Sequence, residues 1–130
     1  MEFRGQKMFK ILLVEDLADN RELVRDVLQL GEFEAEVLEA LNGQMALEVA
    51  HREHPDLILM DVSLPQMDGF ATTERIKSDD ELKDIPVVFL TAHAMEKDQQ
   101  RALEVGGNGY ITKPIEIHEF LDQIQSYLTS

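Results

Sequence analysis

Four apolar runs along the chain each stop on a reactive polar residue. Ile11-Leu12-Leu13-Val14 ends at Glu15-Asp16, Leu57-Ile58-Leu59-Met60 at Asp61, Val87-Val88-Phe89-Leu90 at Thr91, and the shorter Tyr110-Ile111-Thr112 at Lys113. The longer runs are continuous rather than alternating, which suits strands buried on both faces and predicts a parallel sheet covered by helices. A weaker strand is expected over 35–40. Between strands the apolar spacing becomes helical. A first helix should begin near Asp19 or Asn20, bury Leu23, Val24, Val27, Leu28 and Leu30, and stop at Gly31. A second, after an Asn42-Gly43 turn, carries Met45, Leu47, Val49 and Ala50. Helices over 71–78 and 96–105 follow, and the last carries Ile117, Phe120, Leu121, Ile124 and Leu128. The segment 63–69, with Pro65 and Asp68-Gly69, has the turn residues of a structured loop. Strand–helix alternation with short links predicts one α/β domain with right-handed crossovers. Residues 1–7 are patternless and are set aside as an N-terminal extension, leaving the domain to 8–130.

Length changes this picture little: 130 residues suffice for one domain with a proper core. Charge changes it more. Twelve Lys and Arg against twenty-six Asp and Glu give a net charge of −14. Nucleic-acid binding needs cations to replace counterions, so neither nucleic acid nor an anionic membrane is an expected partner. No apolar stretch is long enough to cross a bilayer, and no signal peptide is evident. Cysteine is absent, which rules out thiolate metal sites and fits a reducing cytoplasm.

In open parallel sheets, ligands bind beyond the carboxyl ends of the strands. The ends predicted here bring Glu15, Asp16, Asp61, Thr91 and Lys113 to one edge. Three neighbouring carboxylates repel unless a cation intervenes. Oxygen ligands without His or Cys suit Mg²⁺, with Mn²⁺ able to substitute. Asp61 is the best nucleophile, since a carboxylate can attack phosphorus to give an aspartyl phosphate. Lys113 is a natural cation for phosphate. Thr91 either offers a hydroxyl to a phosphoryl oxygen or simply closes a strand with a β-branched residue. His51, His54 and His118 read as exposed helix or loop residues and form no metal-site spacing.

Val14-Glu15-Asp16, Leu59-Met60-Asp61, Leu64-Pro65-Gln66-Met67-Asp68-Gly69, Leu90-Thr91-Ala92 and Tyr110-Ile111-Thr112-Lys113-Pro114 together resemble the receiver domain of two-component response regulators, over about residues 8–128. The resemblance implies a doubly wound, flavodoxin-like sheet of five parallel strands in the order 2-1-3-4-5 with five helices. It implies that Asp61 is the phosphoacceptor, charged by a sensor histidine kinase or histidine phosphotransfer protein. It makes Asp16 a direct Mg²⁺ ligand, Glu15 its outer-shell companion and the Ser63 backbone carbonyl a further ligand. Thr91, with Ala92 beside it, becomes the switch hydroxyl, Lys113 the phosphate-binding lysine and Tyr110 the aromatic that reports activation. Pro65 and Gly69 shape the loop, and the Lys113-Pro114 bond is expected to be cis. Leu17 and Ala18 either dock the donor or staple the start of the first helix. Ser63 and His93 flank the expected path of the attacking water, although His93 can equally be a loop imidazole without a role.

The expected function is therefore that of a stand-alone, cytoplasmic regulator that passes its signal to a downstream protein by noncovalent contact. Two departures from the family pattern are visible. The stretch 31–37 is longer than usual, which leaves its register open, and Gly106-Gly107-Asn108-Gly109 is rich in glycine. An aspartyl-phosphate phosphatase would need a second Asp where Ser63 stands. A flavin-binding domain would need a Ser/Thr/Gly-rich phosphate loop where Glu15-Asp16-Leu17 stands. A receiver-fold scaffold that is never phosphorylated would not need the full set of phosphorylation residues found here.

Overall fold

The computed structural model describes residues 8–92 and 96–129. Among them β1 (Met8–Val14), β2 (Glu34–Ala40), β3 (Leu57–Asp61), β4 (Val87–Thr91) and β5 (Gly109–Thr112) alternate with α1 (Ala18–Leu28), α2 (Gly43–Glu53), α3 (Gly69–Lys77), α4 (Glu96–Glu104) and α5 (Ile117–Thr129). All strand pairs are parallel and the order is β2-β1-β3-β4-β5. This is the expected doubly wound sheet.

The continuous apolar runs follow from a core on each side of that sheet. Successive side chains of a strand point to opposite faces. Leu12 and Val14 join Ile58, Met60, Val87 and Phe89 under α2, α3 and α4. Ile11 and Leu13 join Leu57, Leu59, Val88 and Leu90 under α1 and α5, with Val24, Val27, Leu28, Phe120 and Ile124. β2 pairs only with β1 and is an edge strand, where exposed Glu34, Glu36 and Glu39 discourage further strand pairing. Its register runs from Met8↔Glu34 to Val14↔Ala40, so the extra length noted in 31–37 is taken up before the strand begins.

Local chemistry moves several boundaries. Asn42 is the N-cap of α2 rather than part of a free turn, its Oδ1 accepting from the Met45 N–H at 2.8 Å. Asp68 caps α3 in the same way through the Ala71 N–H, so that helix starts two residues before Ala71. α1 ends at Leu28, which leaves Leu30 outside the helix and 64% exposed. Leu23, one position off the Val24–Val27–Leu28 stripe, is 56% exposed, and Ile117 at the start of α5 is 40% exposed. In α2, Ala46 is fully buried while Met45 and Leu47 are half-buried. The glycine-rich approach to β5 has a conformational reason: Gly106 sits at φ +94°, a region that L side chains rarely adopt.

Candidate functional site

Each strand-end residue is fixed by a rung just past its ladder. The Glu15 N–H donates to the Ala40 carbonyl at 3.0 Å, the Val62 N–H to Leu90 at 3.4 Å, and the Lys113 N–H to Thr91 at 2.7 Å. With Asp61 opposite Leu90 and Thr91 opposite Thr112, the ends of β1, β3, β4 and β5 lie side by side. Glu15, Asp16 and Asp61 each offer a carboxylate oxygen within 4.8 Å of the others, a grouping able to hold a metal ion. Glu15 and Asp61 are buried, and Asp16 is the most open of the three.

The buried carboxylates are held by few groups. Lys113 Nζ lies 3.2 Å from Glu15 Oε1, and the Leu17 N–H donates to Glu15 Oε2 at 3.2 Å. Asp61 Oδ1 accepts from the Ser63 N–H at 3.2 Å. Burial pushes the Glu15 pKa above its ordinary value and the neighbouring Asp61 charge adds to this; the Leu17 N–H and Lys113 pull against it without winning. The site therefore holds more negative charge than its own cation compensates.

The loop after β3 is tightly built. The Met67 N–H donates to the Pro65 carbonyl at 2.7 Å, and Gln66 adopts a left-handed φ of 67°. The Gly69 N–H returns to the Val62 carbonyl at 3.0 Å. A Cβ on Gly69 would overlap the Asp61 carbonyl and lie 3.0 Å from Val62 Cα, so a side chain there would displace the strand end that carries Asp61. Thr91 is buried, and its side chain hydrogen-bonds the half-buried Tyr110 hydroxyl, whose pKa burial raises. Ala92 is exposed, and Lys113-Pro114 is cis as expected. His93 lies outside the described residues. The other histidines are exposed, His51 pairing with Asp79 at 2.9 Å on the far side of α2.

Two features had no assigned part in the sequence reading. Arg21 donates through Nη1 to the carbonyls of both Glu15 and Asp16, at 3.0 and 3.1 Å. An apolar groove of about 250 Å³ opens beside Lys113, lined by Leu23, Val24, Val27, Pro114, Ile115 and Ile117 among others. The signal for the groove was Leu23, an apolar residue that lies off the Val24–Val27–Leu28 stripe.

The sequence profile of the response regulator receiver domain matches residues 11–125. The chain belongs to the response regulator receiver family. It is 42% identical over 118 residues to the polar-differentiation response regulator DivK of Brucella anthropi, covering 91% of this chain and 94% of DivK. Among solved structures it resembles the receiver domain of the sensor histidine kinase PA1611 from Pseudomonas aeruginosa, which has a magnesium ion coordinated in its active-site cleft. That match has a TM-score of 0.85 and 31% identity, over 95% of this chain and all of the other. The Mn²⁺-bound response regulator Rcp1 matches with a TM-score of 0.76 and 33% identity, over 91% of this chain and 90% of Rcp1. As a receiver domain this chain is a signalling phosphoacceptor, and its family implies a histidine-kinase phosphodonor. No helix among the described residues is long and apolar enough to cross a membrane.

The raised Glu15 pKa gives a signed prediction for the receiver without metal. The folded state takes up a proton on Glu15 before the unfolded chain does, so this group favours folding most fully below about pH 4.5, the ordinary carboxyl value, and the benefit fades as pH rises through the folded pKa. In EDTA, Glu15→Gln should unfold at higher urea than wild type at pH 7, and the gap should narrow as pH falls toward 5. A gap that is absent at pH 7 or widens in acid would contradict the assignment.

Proposed function

We propose that Asp61 is the residue phosphorylated, in a Mg²⁺-dependent transfer from a phosphohistidine, and that residues 8–130 act together as a stand-alone cytoplasmic receiver. The observation that carries this reading is the meeting of Glu15, Asp16 and Asp61 at the strand ends, with Lys113 beside them. Asp16, Asp61 and the Ser63 carbonyl would hold Mg²⁺, with Glu15 in support; Mn²⁺, another hard cation, suits the same oxygens. The bound cation supplies charge neutralisation for the transferring phosphoryl oxygens. The Ser63 N–H orients the Asp61 carboxylate, and Lys113, here paired with Glu15, turns to the phosphoryl group. The magnesium in the active-site cleft of the PA1611 receiver and the manganese bound to Rcp1 support the choice of cation.

Switching runs through Thr91 and Tyr110. Their hydroxyls are bonded to each other, so drawing Thr91 toward a phosphoryl oxygen alters the contact that positions Tyr110. The face of α4, β5 and α5 carries the change to a downstream protein. Ser63 is small and exposed and leaves the water path to Asp61 open, and His93 tunes hydrolysis. The donor's histidine-bearing helix docks at Leu17, Ala18 and the neighbouring apolar groove. Leu17 is 57% exposed and is itself the N-cap of α1, which supports docking over a stapling role.

Incubation with acetyl phosphate and Mg²⁺ should add one phosphoryl group by intact mass, and Asp61→Asn should take up none. No addition to wild type, or addition that survives the substitution, would end this reading. Leu17→Asp leaves the helix start sound, since Asp is a favoured N-cap. It should slow transfer from a phosphohistidine donor by about tenfold, the effect of about 1.4 kcal/mol, while leaving acetyl-phosphate labelling within twofold. Equal slowing of both reactions would return Leu17 to a structural role.

A further inference from the structure

At the end of β1 the chain leaves its ladder unevenly. The Glu15 N–H still finds a strand partner in Ala40, whereas the carbonyls of Glu15 and Asp16 turn to Arg21, one turn into α1. Backbone acceptors in so confined a place must be satisfied, and a single Nη1 serves both. The guanidinium is itself held: Nε donates to Glu39 Oε1 on β2 at 3.2 Å, and the Arg21 side chain is only 17% exposed. Glu39 Oε2 takes Arg25 Nη1 at 2.9 Å, and Arg25 also reaches the Val37 carbonyl at 3.3 Å. A planar fork gripped at one end by a carboxylate and at the other by two carbonyls has little freedom.

We propose that Arg21 is a positioning residue for the acidic loop, fixing the peptide planes of Glu15 and Asp16 from behind so that both carboxylates face Asp61 in readiness for a divalent cation. The inference rests on the metal-assisted reading given above. Mutual repulsion drives the three carboxylates apart. Two consecutive carbonyls pinned to one guanidinium resist that splaying, because the orientation of a peptide plane sets the direction of the side chains it joins. Without the pin, the cation must regather the loop, and its affinity falls by that cost. Partners behind metal ligands affect metal affinity in this way, by roughly 10–100-fold on loss.

Simple electrostatics predicts the opposite sign. Arg21 is a cation near a cation site, so removing its charge alone should tighten Mg²⁺ binding. Arg25→Ala is the matched control: it removes the same charge from the same network without touching the carbonyls of Glu15 or Asp16.

The test is an NMR titration of the ¹⁵N-labelled full chain with MgCl₂ at constant ionic strength, on wild type, Arg21→Ala, Arg21→Lys and Arg25→Ala. Positioning predicts Mg²⁺ affinity weaker by about tenfold in Arg21→Ala, at the lower end of the effect seen for such partners. It predicts an intermediate loss in Arg21→Lys, which keeps the charge but not the fork, and unchanged or tighter binding in Arg25→Ala. If Arg21→Ala fails to fold, Arg21→Lys decides, and wild-type affinity in that variant overturns the proposal. Equal or tighter binding by Arg21→Ala, or equal weakening by Arg25→Ala, overturns the positioning role alone. A wild type with no saturable Mg²⁺ response overturns the metal reading and this inference with it.

Discussion

Three carboxylates share a space whose oxygens lie within 4.8 Å of one another, and two of the three residues are almost wholly withdrawn from water. In bulk solvent such a group would separate. Here it cannot, because Glu15 and Asp61 are extensions of strands whose ladders are already set. Lys113 offsets part of the charge through Glu15, and backbone N–H groups of Leu17 and Ser63 offset a little more. What is left over is visible in the raised Glu15 pKa, where burial and the Asp61 charge outweigh every favourable contact. A divalent cation is the chemically simple remedy for that surplus, and a phosphoryl group brought up with one meets a site already arranged for it.

The fold exists in a form that makes this crowding possible. Three strands, β1, β3 and β4, buried at this edge with apolar side chains on both faces, hold their ends in register, and the connections after β1 and β3 are tied back by specific bonds. Gly69 passes against the Asp61 carbonyl where no side chain would fit, and Asp68 starts α3 immediately before it. Arg21 links the acidic loop to the edge strand through Glu39. The strain of like charges is thus carried by backbone geometry rather than by flexible side chains.

Much of this was legible beforehand because it depended on patterns with a single physical solution. Continuous apolar runs ending on polar residues imply a two-faced core and a shared strand edge, and Glu15, Asp16, Asp61, Thr91 and Lys113 are found at that edge. The helix ends were less legible. Whether Asn42 turns the chain or caps a helix depends on one side-chain hydrogen bond, and composition is the same in both cases. Leu23 looked like core because it is apolar and near the stripe, yet it faces out beside the groove. Arg21 was invisible as a site residue: its role arises from backbone carbonyls, which every residue possesses, and from Glu39, 18 positions away.

Asp61→Asn removes one of the crowded charges with almost no change in shape, and its urea unfolding in EDTA and in saturating Mg²⁺ tests the central claim most directly. If uncompensated carboxylate repulsion governs the site, the variant is more stable than wild type in EDTA, and Mg²⁺ stabilises wild type while doing little for the variant. An Asp61→Asn protein that is less stable than wild type in EDTA, or that gains as much from Mg²⁺, would contradict the account.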